Sequence, residues 1–342
     1  MTAPVEFSVI VPAHQAERLL HDTLGALLAS SLPRDQWELI VVDDASRDAT
    51  SGVARPLADR VISLSGLPLG PGGARNAAAA VARGRWLIFI DADVRVHGDT
   101  LQRIAEGVQR DPGLVALFGC YDARPEAREI VSAYRNLLHR YVHLCGAGEA
   151  ETFWAGCGAV RRDAFEAVGG FDTQRFPRPQ IEDIELGYRL RDRGGRIHLD
   201  TAIQGTHLKH WRLGAMLRTD FRDRGIPWMR LLLERRGRTS PSLNTGRGEQ
   251  LRVMMAGLGV TGLVVALLLR DGTIAAAGAL ALLCLAVANL PIYIWFARER
   301  GALVAFMVMP LHMVYYISNA LAAAVGIGQH LFARLRTTPK AG

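Results

Sequence analysis

The first two-thirds of the chain alternates short apolar runs with stretches of helical periodicity. The runs at 7–11, 37–42 and 86–90 are short and rich in branched and aromatic residues, which predicts buried strands. Between them, residues 17–29 and 73–82 show helical periodicity. This alternation, with short connections, predicts an α/β domain built on a mostly parallel, Rossmann-like sheet. In such sheets ligands bind beyond the carboxyl ends of the strands.

The pattern changes after Arg252. Residues 253–269, 272–297 and 301–333 contain no Asp, Glu, Lys or Arg. The first run has 17 residues, the short limit for a membrane span, and the other two are long enough to cross a bilayer. Three such runs in succession predict a transmembrane region, residues 251–333, with two to three helices. A break at Pro310 is one way to accommodate the long last run.

Positive charge is concentrated just before these apolar runs. The formal net charge is +7, and residues 204–252 hold eleven Lys/Arg against four Asp/Glu. Because residues 211–250 are also rich in apolar and tryptophan side chains, they predict a basic amphipathic segment in the interface of an anionic membrane. Aromatic residues are not interleaved as base stacking requires, so nucleic acid is not an expected partner. The four cysteines show no paired spacing, which argues against a zinc knuckle or a disulfide scaffold.

Polar residues follow all three predicted strands. Pro12 ends the first strand region, Asp43-Asp44-Ala45-Ser46-Arg47-Asp48 follows the second, and Asp91-Ala92-Asp93 follows the third. A helix cap would account for one of the two adjacent acids at 43–44, but not for both. Two aspartates spaced as in Asp91 and Asp93 can face a hard cation that bridges phosphates. The three segments therefore predict a site at one edge of the sheet.

Two further segments carry candidate chemistry. The glycine-rich helix start at residues 70–76 fits neither the P-loop nor the dinucleotide fingerprint, yet Arg75 at a helix N-terminus can reach a ribose or phosphate. Glu182 and Asp183 open another predicted helix, where Asp183 is either a cap or a functional acid. Residues 132–144 predict a helix that either packs over the sheet or forms part of an acceptor entrance.

The order of these segments between Glu6 and Trp211 resembles an inverting family 2 glycosyltransferase. The matching elements are the strand ending in Pro12, Asp-Asp-x-Ser-x-Asp at 43–48, Gly-x-x-x-Ala-Arg-Asn at 70–76, Asp-x-Asp at 91–93, Gly-Gly-Phe-Asp at 169–172 and Glu182-Asp183. Each element is common, but six in this order are specific. The resemblance implies the GT-A nucleotide-diphospho-sugar transferase fold, followed here by a C-terminal transmembrane helical region.

The resemblance also implies roles for individual residues. Asp44 would bind uracil, with Pro12 and Arg75 lining the nucleotide pocket, Asp91 would contact the ribose or diphosphate, Asp93 would hold a divalent metal (Mn²⁺ or Mg²⁺), and Asp183 would be the catalytic base with Glu182 beside it. Some members place a metal-binding histidine about where His207 lies, although a place at the membrane interface is an equal alternative for it. His14-Gln15 departs from the aromatic-Asn that the family often has there.

Together these features predict a membrane-anchored enzyme. We expect a metal-dependent, inverting transfer of a sugar from a nucleotide-sugar, a UDP-sugar, to a membrane lipid or lipid-linked acceptor. One base without a closely spaced nucleophilic carboxylate implies a single displacement. The alternatives are transfer to polyprenyl phosphate, as in dolichol-phosphate mannose synthase-like enzymes, and a catalytically silent membrane scaffold, which the intact acids count against.

The expected location follows from the charges and the N-terminus. Residues 1–210 would form the catalytic domain, and no basic-then-apolar leader precedes Phe7, so we expect no signal peptide. The basic block should stay inside, which predicts a multi-pass protein of the cell inner membrane whose catalytic domain faces the cytoplasm. Three full spans would put the basic tail, residues 334–342, outside, whereas two spans or a broken last segment would return it to the cytoplasm.

Overall fold

The computed structural model describes residues 5–235, 238 and 245–337, with side chains up to residue 335. Residues 236–237 and 239–244 of the predicted basic segment, and residues 338–342 of the predicted tail, lie outside the described residues. The chain forms two compact units. The first is Met1–Ala127 with His139–His210, and the second is Arg128–Leu138 with Trp211–Gly342.

The first unit is an α/β domain around a nine-stranded sheet, counted over the described residues. Its strands are β1 (Phe7–Ala13), β2 (Trp37–Asp44), β3 (Arg60–Leu64), β4 (Trp86–Ile90), β5 (Val94–Val96), β6 (Leu114–Tyr121), β7 (Gly148–Ala150), β8 (Cys157–Arg161) and β9 (Arg196–His207). Its helices are α1 (Glu17–Leu28), α2 (Thr50–Ala54), α3 (Gly70–Ala79), α4 (Thr100–Arg110), α6 (Arg162–Ala167) and α7 (Glu182–Asp192), with α5 (Ile130–Cys145) shared between the units.

The sheet has a parallel part and a mixed part. The strand order is β3-β2-β1-β4-β8-β6-β9-β5, and β7 pairs with β9 outside this path. Strands β3, β2, β1 and β4 are all parallel, whereas β8 runs antiparallel to both β4 and β6. Every residue of β1, β2 and β4 is buried, because helices cover both faces, as continuous apolar runs predict.

The register aligns the strand ends that carry the motifs. Pro12 in β1 lies opposite Val42 in β2, and Ile10 lies opposite Phe89 in β4. The polar segments that follow β1, β2 and β4 therefore meet at one edge of the sheet, as the sequence predicts. Beyond them, the short strand β5 pairs with the end of β9 and brings Val94 opposite His207.

The second unit is helical. It contains α8 (Leu213–Arg218), a π-helical segment (Thr219–Gly225), α9 (Ile226–Glu234), α10 (Arg247–Leu269), α11 (Gly272–Ala288), α12 (Leu290–Arg300) and α13 (Ala302–Thr337). Among the described residues, Arg247–Leu269 and Ala302–Leu335 are each long and apolar enough to cross a membrane. The pair α11 and α12, bent by 47°, would make a third span if it crosses as one element.

The interruption lies at Asn289 and not at Pro310. Helix α13 continues through Pro310, so the break considered there is absent. Asn289 is buried between α11 and α12, and its side-chain amide donates to the carbonyl of Leu285, satisfying a group at the end of α11. Its Oδ1 lies 3.2 Å from Nε2 of His312, whose Nδ1 lies 2.9 Å from the Tyr134 hydroxyl. These buried polar groups satisfy one another among apolar helices.

Candidate active site

The loops after β1 and β2 hold a strained backbone at the sheet edge. Gln15 and Ala45 have φ values of 51° and 56°, in the left-handed region that residues other than glycine seldom adopt. The two loops are tied together, because the Gln15 amide donates to the Ser46 hydroxyl at 3.0 Å and His14 Nδ1 lies 2.7 Å from the Asp44 carbonyl. Backbone strain of this kind persists only where surrounding contacts enforce it, and it is common at functional sites.

Asp44 fastens the segment that opens α3. Its Oδ1 and Oδ2 accept hydrogen bonds from the backbone amides of Leu69 and Gly70, both at 2.8 Å. Gly70 has a φ of 78°, and a Cβ there would lie 2.8 Å from the Pro177 carbonyl oxygen, so glycine is required. Each carboxylate oxygen can accept a second bond, and the geometry therefore leaves acceptor capacity for a nucleobase.

Arg75 joins two acids that lie far apart in the sequence. Its guanidinium is 4% exposed and lies 2.6 Å from Asp91 Oδ1 and 3.3 Å from Glu182 Oε1. It also packs over the Phe171 ring, 5.4 Å from the ring centroid. The structure thus places Arg75, predicted to line a nucleotide pocket, as the buried centre of an Asp–Arg–Glu triad. Such a triad fixes the orientation of both acids.

The neighbouring Asn76 clamps the Gly-Gly-Phe-Asp segment. Its side-chain amide donates to the Phe171 carbonyl at 2.8 Å and accepts from the Phe171 amide at 2.9 Å. Gly170, with a φ of 69°, leaves room for this clamp, since a Cβ there would lie 2.7 Å from Asn76 Oδ1. Both residues of the Arg-Asn pair therefore make contacts within the domain.

Asp93 and His207 form a pair at the ends of β5 and β9. Their Oδ2 and Nε2 atoms are 3.4 Å apart, and the Asp93 carbonyl accepts a bond from the Leu208 amide. The His207 ring stacks on Tyr121, with ring centroids 4.4 Å apart and planes 12° apart. The aspartate and the histidine, chosen separately from the sequence, are thus brought together in the first unit.

The two acids of the Asp-x-Asp motif differ in electrostatics. Burial acts to raise the pKa of Asp93, but the hydrogen bond and charge of His207 outweigh it and hold that pKa below its ordinary value. Burial raises the pKa of Asp91 against the opposing charge of Arg75, and the nearby Asp93 adds to the rise. The pKa values of the two carboxyls are therefore shifted in opposite directions.

Asp93 and His207 suit a divalent cation as part of a shared coordination shell. A carboxylate oxygen and an imidazole nitrogen are ligands that Mn²⁺ accepts. The described residues contain no group of three His, Cys, Asp or Glu side chains arranged around a metal. Two protein donors at this spacing fit a cation that takes its remaining ligands from water and from phosphate oxygens of a bound nucleotide.

The adjacent acids Glu182 and Asp183 point into different surroundings. Glu182 is buried, with Oε1 on Arg75 and Oε2 accepting from the Gln180 amide at 2.9 Å. Burial raises the pKa of Glu182, the charge of Asp183 adds to the rise, and Arg75 opposes it. Asp183 is only partly buried and accepts from the amides of Ala155 (3.1 Å) and Ile184 (2.8 Å). Of the two, Asp183 is the acid placed to meet another molecule.

Two aromatic residues near these acids, Tyr121 and Trp154, have no role assigned from the sequence, and His139 belongs to the predicted helix at 132–144. Tyr121 lies 4.9 Å from Trp154 and Trp154 lies 4.8 Å from His139, measured between ring centroids. Trp154 directly precedes Ala155, whose amide binds Asp183. The only signal in the sequence was the Phe153-Trp154 pair in front of a glycine-rich strand, which specifies no role.

Comparison with known proteins identifies the domain. Residues 8–169 match the family described as glycosyl transferase family 2, a segment that includes β1, β2, β4 and the Asp91–Asp93 motif. The chain carries a glycosyltransferase family 2 domain. The family predicted from the order of the motifs is thereby confirmed.

One curated relative shares sequence with this chain, and two solved structures share its fold. The poly(ribitol-phosphate) beta-N-acetylglucosaminyltransferase TarS of Staphylococcus aureus (strain Mu50) is 32% identical over 105 residues, 30% of this chain and 18% of that relative. The mannosyltransferase PcManGT from Pyrobaculum calidifontis, in complex with GDP-Man and Mn²⁺, superposes with a TM-score of 0.57 at 19% identity, covering 94% of this chain and 89% of that one. S. aureus TarS 1–349 in complex with UDP-GlcNAc superposes with a TM-score of 0.52 at 16% identity, covering 98% of this chain and 93% of that one.

The glycosyltransferase family 2 domain therefore has the GT-A fold, as predicted. The structural likeness extends over most of the chain, whereas the sequence match to TarS spans less than a fifth of that relative's length. At these identities the structures establish the fold.

Proposed function

We propose that this protein is an inverting, metal-dependent glycosyltransferase that moves a sugar from a nucleotide-sugar to a membrane lipid or lipid-linked acceptor. The observation that supports it most is the placement of Asp93 beside His207, and of the partly exposed Asp183, in the compact unit that also contains the family 2 match. These residues supply a metal-binding pair and a carboxylate free to take a proton. The intact acids also argue against a silent scaffold.

The nucleotide-sugar donor would bind at the residues that are themselves held by contacts within the domain. Asp44 and Pro12 at the ends of β2 and β1 would line the nucleotide pocket, and Asp91 would contact the ribose or diphosphate while Arg75 holds it in place. UDP is our proposed nucleotide. TarS was solved with UDP-GlcNAc and PcManGT with GDP-Man, so both nucleotides occur on this fold. Asp44 retains the acceptor capacity that the N–H of a uracil needs.

Asp93 and His207 would hold the metal against the donor phosphates. A divalent cation there supplies charge stabilisation for the departing nucleotide diphosphate. The PcManGT structure contains Mn²⁺, which supports a divalent metal on this fold. The stacking of His207 on Tyr121 fixes the direction of Nε2 toward Asp93, so the pair needs little rearrangement to bind a cation.

Asp183 would act as the general base. It would accept the proton of the acceptor hydroxyl as that oxygen attacks the anomeric carbon, which inverts the configuration in one displacement. The Ala155 and Ile184 amides hold its carboxylate in a fixed direction, and Glu182, bound to Arg75, sets the start of α7. Glu182 is therefore proposed as a positioning residue beside the base.

The acceptor and location are proposed from the second unit. Helices α10 and α13 are long and apolar enough to cross a membrane, and their flanking segment is basic. We propose residues 1–210 as the catalytic domain, 211–250 as an interface segment, 251–333 as the membrane region and 334–342 as a basic tail. The proposed location is the cell inner membrane, multi-pass, with the catalytic domain in the cytoplasm.

A donor screen tests the proposal. The full-length protein in detergent micelles would be incubated with Mn²⁺ and a panel of UDP- and GDP-sugars, with and without an extract of bacterial lipids, and nucleotide release would be measured. We expect release from one UDP-sugar that rises when lipid is added and that is lost in Asp93→Ala. If no donor in the panel is consumed under any condition, the proposed function is wrong. Stimulation by polyprenyl phosphate alone would favour that acceptor over a neutral hydroxyl.

A further inference from the structure

A cluster of five rings lies in the first unit beside the proposed catalytic residues. It consists of Tyr121, His139, His143, Trp154 and His207. Tyr121 contacts three of the others, with centroid distances of 4.4 Å to His207, 4.6 Å to His139 and 4.9 Å to Trp154. His207 is accounted for by the proposed metal pair. The mechanism leaves Trp154 unexplained.

The fold makes specific room for the Trp154 indole. A Cβ at Gly156 would lie 2.5 Å from two carbon atoms of the ring, so any larger residue at 156 would displace it. A Cβ at Gly158 would lie 2.6 Å from the Trp154 carbonyl oxygen and 2.7 Å from the Phe153 ring. His139 and His143 contact the indole at centroid distances of 4.8 and 5.4 Å, both at steep angles. The indole is therefore held in one orientation.

Trp154 is also linked to both halves of the proposed chemistry. The residue after it, Ala155, donates its amide to Asp183 at 3.1 Å. On the other side, Tyr121 contacts both Trp154 and His207, and His207 lies 3.4 Å from Asp93. Trp154 thus directly precedes the residue that binds the proposed base, and one ring, Tyr121, separates it from the proposed metal pair.

The exposure of Trp154 distinguishes it from its neighbour. Phe153 is 1% exposed and packs between Phe89 and Phe118, as a core residue does. Trp154 is only partly buried although it is the largest apolar side chain of the segment. A rigid, partly exposed indole provides a flat apolar surface with a polar N–H at its edge. That surface suits the apolar face of a pyranose ring better than the flexible chain of a simple lipid.

Resting on the proposed function, we infer that Trp154 is the platform of an acceptor subsite that takes a sugar ring. The acceptor hydroxyl would then belong to the terminal sugar of a lipid-linked saccharide, stacked on the indole while Asp183 takes its proton. Tyr121 and His139 would set the tilt of the platform. This assigns the acceptor as a saccharide and not as a diacylglycerol.

The test compares two acceptors of equal chain length. Full-length protein in detergent, with its UDP-sugar and Mn²⁺, would be assayed with a panel of octyl glycosides and with dioctanoylglycerol, for wild type, Trp154→Phe and Trp154→Leu. We expect wild type to prefer a glycoside, and Trp154→Leu to raise the acceptor KM for that glycoside about ten-fold with a smaller change in kcat. Trp154→Phe should retain most of the preference. Trp295→Leu, a matched change in α12, should leave the ratio between the acceptors unaltered.

A binding measurement covers the case in which Trp154→Leu is too unstable to assay. Saturation-transfer NMR with the matching methyl glycoside and UDP should show contact along one face of the sugar in wild type and Trp154→Phe. The inference is overturned if wild type uses dioctanoylglycerol as well as any glycoside, or if Trp154→Leu leaves the glycoside preference or the sugar contacts unchanged. A wild type that consumes no nucleotide-sugar at all would instead refute the proposed function.

Discussion

Two sets of charged residues in the first unit differ in what surrounds them. Asp44, Arg75 and Glu182 are all at most 5% exposed, and each binds other parts of the same domain. Asp93 and Asp183 are partly exposed. The first set forms an internal frame that ties α3 to β2, β4 and α7. The second set faces outward, where a metal and an acceptor would bind.

This difference shows that adjacent residues of one motif can have different roles, one in holding the domain together and one in binding other molecules. Glu182 and Asp183 are consecutive, yet one binds Arg75 inside the domain and the other is held by backbone amides at the surface. Asp91 and Asp93 also have different partners, Arg75 and His207, although both carboxylates are partly exposed. Substitutions of Arg75 and Glu182 should therefore act mainly on stability, and substitutions of Asp93 and Asp183 mainly on activity. Each prediction below tests one side of that division.

The largest effect is expected at Asp93. Asp93→Ala removes a proposed metal ligand, so transfer should fall by about three orders of magnitude and should not recover with added Mn²⁺. In wild type, EDTA should abolish transfer and Mn²⁺ or Mg²⁺ should restore it. Asp99→Ala, which removes an exposed acid paired with Arg103, is the control and should keep near-normal rates. Full wild-type activity in EDTA would contradict the metal assignment.

Removal of the frame's cation should be the largest stability effect. Arg75→Met would leave Asp91 and Glu182 without their buried partner, which typically costs about 3–5 kcal/mol. The measurement is the thermal unfolding midpoint of the domain in detergent. Arg103→Met, at the exposed pair with Asp99, should cost at most about 0.5 kcal/mol. Equal midpoints for the two variants would show that Arg75 does not hold the frame.

Substitutions at His207 and at the ring that stacks on it should weaken Mn²⁺ binding. Tyr121→Leu removes the ring that stacks on His207 and should raise the Mn²⁺ concentration for half-maximal binding at least ten-fold, as loss of an outer-shell partner does. His207→Ala should raise it at least as much, and Tyr121→Phe, which keeps the ring, should be close to wild type. Manganese binding followed by electron paramagnetic resonance gives this value without an activity assay. Unchanged titrations in His207→Ala would assign that residue to a structural role.

The smallest effect is a pH dependence of stability at Glu182. Because burial raises its folded pKa above the ordinary 4.5, the folded state holds the proton more tightly than the unfolded state. Wild type should then lose unfolding free energy relative to Glu182→Gln as the pH rises above about 4.5. Glu38 should show a pH dependence of the opposite sign. Hydrogen bonds from Ser8 and Arg83, with the charge of Arg83, outweigh its burial and lower its pKa. Wild type should gain unfolding free energy relative to Glu38→Gln as the pH rises toward about 4.5 and should change little above it. Parallel curves for both variants would refute the assignment.

Some of this organisation could be predicted from sequence and some could not. The three predicted strands begin at the predicted residues, because continuous apolar runs identify strands buried on both faces. The antiparallel half of the sheet was not predicted, since β8 is short and β9 mixes polar and apolar positions. The ion pair between Arg75 and Glu182 spans 107 residues, and no local pattern reveals such a contact. Likewise, Pro310 looked like a helix break, but the break lies at Asn289.

The residues of the site could be predicted from the sequence, but which of them are buried and which are partly exposed could not. Motif order identified Asp44, Arg75, Asp91, Asp93, Asp183 and His207 as members of one family pattern, and the structure places them in one unit. Which of them face inward depends on side-chain directions that only the packed domain sets. Trp154 shows the same limit, because its setting depends on Gly156 and on rings from β6 and α5.

The most direct measurement compares donor binding with transfer in Asp183→Asn. The asparagine oxygen can still accept from the Ala155 amide or from the Ile184 amide, so one of the two hydrogen bonds and the side-chain shape are kept while the proton acceptor is lost. The account predicts a donor Kd within about two-fold of wild type and a transfer rate lower by about two to four orders of magnitude. A near wild-type rate to a neutral hydroxyl acceptor, or a collapse of donor affinity together with the rate, would contradict the assignment of Asp183 as the catalytic base.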